Sequence, residues 1–179
     1  MGSLTCRLRF FLSFFSWDHS RWLDKARMAA AFSAGLMIVA CGGLSAKQQS
    51  AADEALKALR KIEAATQVGV SYQQYGQLVI DAKAQVNEAT AILPEGELKK
   101  ELETATDAYS DAGRVWSAAI ARELFPGDEV SKYLKSKYNI EVARPISDGH
   151  EREQRSAILN VIWAIGRLHL EKASSLVKL

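Results

Sequence analysis

Cysteine is almost missing from this chain of 179 residues: Cys6 and Cys41 are the only two. Everything after residue 41 therefore lacks the thiols for a disulfide or a cysteine-ligated metal site. Proline stands only at positions 94, 126 and 145, so long stretches contain nothing that breaks a helix. Histidine is equally scarce, at positions 19, 150 and 169. No Glu-x-x-His pair is present, which excludes the usual carboxylate-bridged di-metal site of helical bundles. A Cys-x-x-Cys-His haem attachment run is missing too. So are the Gly-x-x-x-x-Gly-Lys phosphate loop and the Gly-x-Ser-x-Gly nucleophile turn.

The remaining histidines offer little chemistry. His150 precedes Glu151 and Glu153, but residues so close in sequence do not share a helix face. Its expected role is to cap a helix and compensate its dipole. His169 lies between Leu168 and Leu170 and is expected on a helix surface or partly buried. No enzyme activity, cofactor or metal is expected from these residues.

A one-sided charge is also missing. The formal charge of +2 divides unevenly, because residues 1–41 hold Arg7, Arg9, Arg21, Lys25 and Arg27 against Asp18 and Asp24. That leaves 18 basic and 19 acidic residues in the remainder. A nucleic-acid binder concentrates basic residues on one face, so nucleic acid is not an expected partner.

What is abundant is Ala, Leu, Glu, Lys and Gln, the residues that lose least side-chain freedom in a helix. The first apolar stripe, Ala52, Ala55, Leu56, Leu59, Ile62 and Ala65, predicts a helix over about 47–67, ended by Gly69. Ser71 and Gln74 form a capping-box pair for a second helix over about 72–92, with Val70 placed to staple against Tyr75. Its seam of Tyr72, Tyr75, Val79, Ala82, Val86 and Ala89 alternates steps of three and four. A third helix over about 97–124 follows from Leu98, Leu102, Ala105, Tyr109, Ala112, Trp116 and Ala119, and Phe125-Pro126-Gly127 stops it. Asp128 caps a short helix over 129–138. After a loop, a last helix over about 151–177 buries Ala157, Ile158, Val161, Ile162, Ile165, Leu168 and Leu176. Alanines at 82, 89, 105, 112, 119 and 164 suggest close helix approach. The expected fold is all-α: an antiparallel up-down bundle of about four long helices plus one short helix.

The sharpest pattern lies before this domain. Residues 28–40, Met-Ala-Ala-Ala-Phe-Ser-Ala-Gly-Leu-Met-Ile-Val-Ala, carry no charge and follow Arg21, Lys25 and Arg27. Basic residues, an apolar run and a small-residue boundary make an export signal. At the boundary, Ile38-Val39-Ala40-Cys41 resembles the lipobox of bacterial lipoproteins. The resemblance implies diacylglyceryl transfer to Cys41 and cleavage just before it. It also implies sorting to the outer membrane where one exists, because Gly42 rather than Asp follows the cysteine. The 27 residues before Met28, with their apolar patch at 10–15, are long for a signal. A true start near residues 23–28 is expected to explain them.

Three segments follow: 1–40 for export, 41–46 as lipid-anchor linker, and 47–179 as the helical domain. The expected function is that of a membrane-anchored exported lipoprotein in the cell envelope, with a non-catalytic structural or protein-interaction domain. Self-association or a protein partner is expected. Two alternatives stay open. Residues 28–44 could remain as a single-pass anchor, although a span needs ~20 apolar residues. Or Tyr72, Tyr75, Tyr109, Trp116 and Trp163 could line an inter-helix pocket for a small molecule or lipid. Lys132, Lys135 and Lys137 with Tyr133 and Tyr138 form a basic-aromatic patch, expected to be a solvated surface.

Overall fold

The computed structural model describes residues 43–144 and 146–178. The export segment at 1–40 and Cys41 lie outside these. All regular structure among the described residues is helical: α1 (Ala46–Val68), α2 (Tyr72–Ile92), α3 (Glu97–Ile120), α4 (Glu129–Tyr138) and α5 (Asp148–Val177). None of these helices is long and apolar enough to cross a membrane.

Local chemistry fixes the ends. Ser45 caps α1 through a full capping box with Gln48, a Ser-x-x-Gln signal that the apolar stripe alone does not reveal. The Gln48 amide also donates to the Ile92 carbonyl at 2.9 Å, tying the start of α1 to the end of α2. Gly69 follows α1 at φ 93°, a backbone region open to glycine and strained for other residues. Ser71 and Gln74 form the expected box at α2.

Two boundaries differ from the sequence reading. Helix α3 ends at Ile120 rather than Leu124, in a Schellman turn built on Arg122 at φ 58°. The Glu123 N–H donates to Ala118 O at 2.8 Å and the Arg122 N–H to Ala119 O at 3.2 Å. That pairing satisfies carbonyls left open at the helix end. Turning there lets Leu124 return to the core, where it is buried. Helix α5 begins three residues earlier than expected, because Ser147 is its cap and accepts from the His150 N–H at 3.2 Å. His150 is thus a first-turn residue and not the cap.

The most extensive packing is α3 on α5, followed by α1 on α2 and α2 on α3; α1 also meets α5. Leu59, Ile62, Tyr75, Leu102, Tyr109, Ile162 and Leu170 are among the largest fully buried side chains. Helix α3 is apolar on more than one face because it touches α2 and α5 at once. Thr106, Ala108, Val115 and Ala118 are buried beside the expected stripe.

Helix α5 corrects the predicted face. Ala157, Val161, Ala164 and Leu168 point outward, with Val161 and Leu168 47% and 50% exposed. Ile158, Ile162, Gly166, Leu170 and Ala173 point inward. The helix carries two apolar stripes, and hydrophobicity alone does not say which one the bundle uses. Gly166 decides it. A Cβ there would meet Tyr109 ring atoms at 3.1, 3.1 and 3.3 Å, so the missing side chain lets α5 rest on that ring.

Candidate functional site

The aromatic residues singled out in the sequence come together between α2, α3 and α5. Tyr75 stacks at tilted angles with Trp116 at 5.7 Å and with Trp163 at 5.9 Å between ring centroids. Trp116 and Trp163 meet edge to face at 6.1 Å, and Tyr72 joins from the rim at 5.9 Å from Trp116. Such offset pairs add stabilisation beyond plain burial. The polar ends are linked as well. The Tyr75 hydroxyl donates to the Tyr109 carbonyl at 2.7 Å and accepts from the Trp163 indole N–H at 3.0 Å. Burial pushes the Tyr75 hydroxyl well above the ordinary tyrosine range, with the Trp163 bond partly offsetting it. The rings fill the space between the helices, and Tyr75 is wholly buried. They make a packed core at Tyr75 and Trp116, in place of the pocket the aromatic spacing allows.

Tyr109 stands apart. It is buried, yet its hydroxyl has no hydrogen-bond partner among the described residues. Burial pushes its pKa far above the usual value; Glu63 adds to this and Arg167 opposes it. The residue is among those lining a cleft of about 260 Å³ between α1 and α5. Glu63 and Gln67 border it from α1, and Asn160, Trp163 and Arg167 from α5.

On the far side of α3, the expected basic-aromatic patch is largely spent internally. The Asp111 carboxylate accepts from Tyr133 at 2.9 Å, Tyr138 at 2.6 Å and Lys137 at 2.6 Å. Arg114 lies 4.9 Å from the Tyr133 ring centre and pairs with Glu129 at 2.7 Å. Burial opposes the Lys137 charge, but its bonds to Asp111 and Tyr133 outweigh this and hold its pKa above the lysine value. Burial and the Asp111 bond likewise push Tyr138 up. The network clamps α4 to α3. Lys135 pairs with Glu141, and Lys132, Lys135 and Lys137 are all exposed, as expected of a solvated surface. Asp111 gave no sequence signal, since its partners are 22 to 27 positions away.

His169 is partly buried, as expected, and its Nδ1 meets the Glu101 carboxylate across the α3–α5 interface. Glu101 is itself buried. The two groups pair with each other, and neither lines the cleft described above. His150 contributes only its backbone to the Ser147 cap.

A pH dependence follows from the shifted groups. Tyr75, Tyr109 and Tyr138 hold their protons above the ordinary value of 10.0, and Lys137 above 10.5. In each case the folded state binds the proton more tightly than the unfolded chain. Their contribution is therefore intact below about pH 10 and lost as pH rises past it. The thermal midpoint is expected to fall steeply above about pH 10, and Tyr138→Phe to soften that fall. A midpoint that climbs over this interval contradicts the burial of these groups.

Comparison of the chain with protein-family models, curated proteins and solved structures finds no match. Function has to be argued from the residues themselves.

Proposed function

We propose that the chain is an exported lipoprotein, anchored to a membrane through lipid on Cys41. Its helical domain then works beside that membrane as a non-catalytic structural or protein-interaction module. The observation that carries the reading is the uncharged run at 28–40, preceded by Arg21, Lys25 and Arg27 and closed by Ile38-Val39-Ala40-Cys41. One acyl chain binds a membrane marginally, whereas the two or more implied by lipoprotein processing hold it stably. The domain is an antiparallel up-down bundle in this proposal, consistent with the Gln48–Ile92 bond joining opposite ends of α1 and α2.

The anchor sets the working position. Ser45 already caps α1, and the four residues from Cys41 span at most about 14 Å when extended. The α1 start is thereby held within about 14 Å of the lipidated residue. Outer-membrane placement, facing the periplasm, belongs to the same proposal for a cell with two membranes.

Replacing Cys41 with serine tests it. Cys41→Ser is expected to abolish incorporation of labelled palmitate and to leave an uncleaved precursor. Unchanged labelling and membrane retention contradict the lipid anchor. Retention without labelling favours a single-pass anchor at 28–44 instead.

A further inference from the structure

Helix α2 has a second periodic face. Its buried seam holds Tyr75, Ala82, Val86 and Ala89. On the opposite side, Gln73, Gln77, Ile80, Ala84, Asn87 and Ala91 alternate steps of four and three, and all of them are exposed. Ile80 is 64% exposed. Such steps draw the a/d stripe of a two-stranded coiled coil, and the two alanines let a facing helix come close. The charges beside the stripe decide its orientation. Lys83 flanks it on one side, and Asp81 and Glu88 on the other; all three are exposed. Neither Lys83 nor Glu88 forms an ion pair among the described residues. No opposite charge stands three or four positions from either on α2, where a helix would supply one. Two parallel copies of α2 bring Lys83 of each against Glu88 of the other, the flanking pair that sets orientation in coiled coils. Antiparallel pairing on the same stripe sets Lys83 on Lys83 and Asp81 on Asp81, which repels. The exposed Val161 and Leu168 of α5 offer no such match, since parallel pairing there sets Arg167 against Lys172.

We propose that this face joins α2 to α2 of a second copy in a parallel two-fold dimer. Ile80 meets its counterpart on the axis, and Lys83 and Glu88 pair twice across it. The pairing names the surface for the interaction role proposed above and rests on that reading. Gln48 ties the α1 start to Ile92 at the end of α2, so parallel pairing leaves both α1 starts at one end. Both Cys41 residues then face one membrane. One isoleucine and two alanines are a modest apolar area, and confinement on that membrane supplies the effective concentration the dimer needs.

The test is disulfide trapping of the full chain in isolated membranes of cells that produce it, with copper phenanthroline as oxidant and Cys6→Ser as background. Ile80→Cys is expected to give at least about fivefold more cross-linked dimer than Glu171→Cys on α5, because only residues that meet across the axis come within disulfide reach. Adding Lys83→Glu should cut the Ile80→Cys yield about threefold, since like charges then face each other twice. Adding Glu88→Lys as well should restore it. All these positions are exposed, so the variants keep the fold. An Ile80→Cys yield no higher than that of Glu171→Cys overturns the proposal. So does a yield that ignores Lys83→Glu, or one that the double reversal fails to restore. Palmitate labelling of the same samples reads the anchor separately: a labelled chain without the cross-link removes the pairing alone, and the cross-link without label keeps the pairing while the anchor falls.

Discussion

Tyr75→Ala is expected to destabilise the helical domain by about 4 kcal/mol, the middle of the range for removing a buried aromatic side chain. The substitution removes a wholly buried ring that touches Trp116 and Trp163. It also strips the Trp163 N–H of its acceptor and the Tyr109 carbonyl of a donor. Tyr75→Phe separates these contributions. It keeps the ring and loses only the hydroxyl, so a cost of about 1–2 kcal/mol is expected. Urea unfolding followed by tryptophan fluorescence reads both, because Trp116 and Trp163 lie against the mutated position. Equal losses in the two variants would place the stability in the hydrogen bonds and not in the packing. Loss in neither would mean that the aromatic cluster is not core.

The second large effect concerns the Glu101–His169 contact. His169→Ala leaves a carboxylate that is 7% exposed without its partner, and a cost of about 2–3 kcal/mol is expected. Glu101→Gln should cost less, about 1 kcal/mol, because an amide still bonds the imidazole and needs less solvation. If the two residues act through each other, the double variant is less stable by about 1–2 kcal/mol less than the sum of the single losses. Strict additivity would show that each residue stabilises the α3–α5 interface independently.

How far the sequence reaches is clearest where capping and periodicity coincide. Ser71 and Gln74 announce α2, and of its predicted seam Tyr75, Ala82, Val86 and Ala89 are buried, while Val79 is partly buried and Tyr72 stays exposed at the helix start. Asp128 announces α4 in the same way. The reading fails where a choice depends on tertiary contact. Val161 and Leu168 are as hydrophobic as Ile158 and Ile162, and only the fit of Gly166 on Tyr109 turns one set inward. Glycine adds nothing to a hydrophobic stripe, so a count of apolar side chains cannot find it. Arg122 at the end of α3 is similar, since a left-handed arginine carries no sequence signature.

The candidate sites follow the same division. The aromatic residues were visible as a set, but their spacing does not distinguish a filled cluster from an open pocket. Tyr109 and Trp163 of that set do line the cleft between α1 and α5, whereas Glu63 and Arg167 beside them read in sequence as ordinary charges on two helix faces. Asp111 was missed for a related reason: in sequence it is one more acid on an amphipathic helix. Only the fold brings Tyr133, Lys137 and Tyr138 onto a single carboxylate oxygen.

Membrane anchoring is most directly tested by the intact mass and N-terminal peptide of the protein isolated from cells that produce it. A polypeptide beginning at residue 41, heavier than its amino acids by a diacylglyceryl group with or without a further acyl chain, is the predicted result. A chain carrying residues 2–20 and an unmodified thiol at position 41 would contradict it.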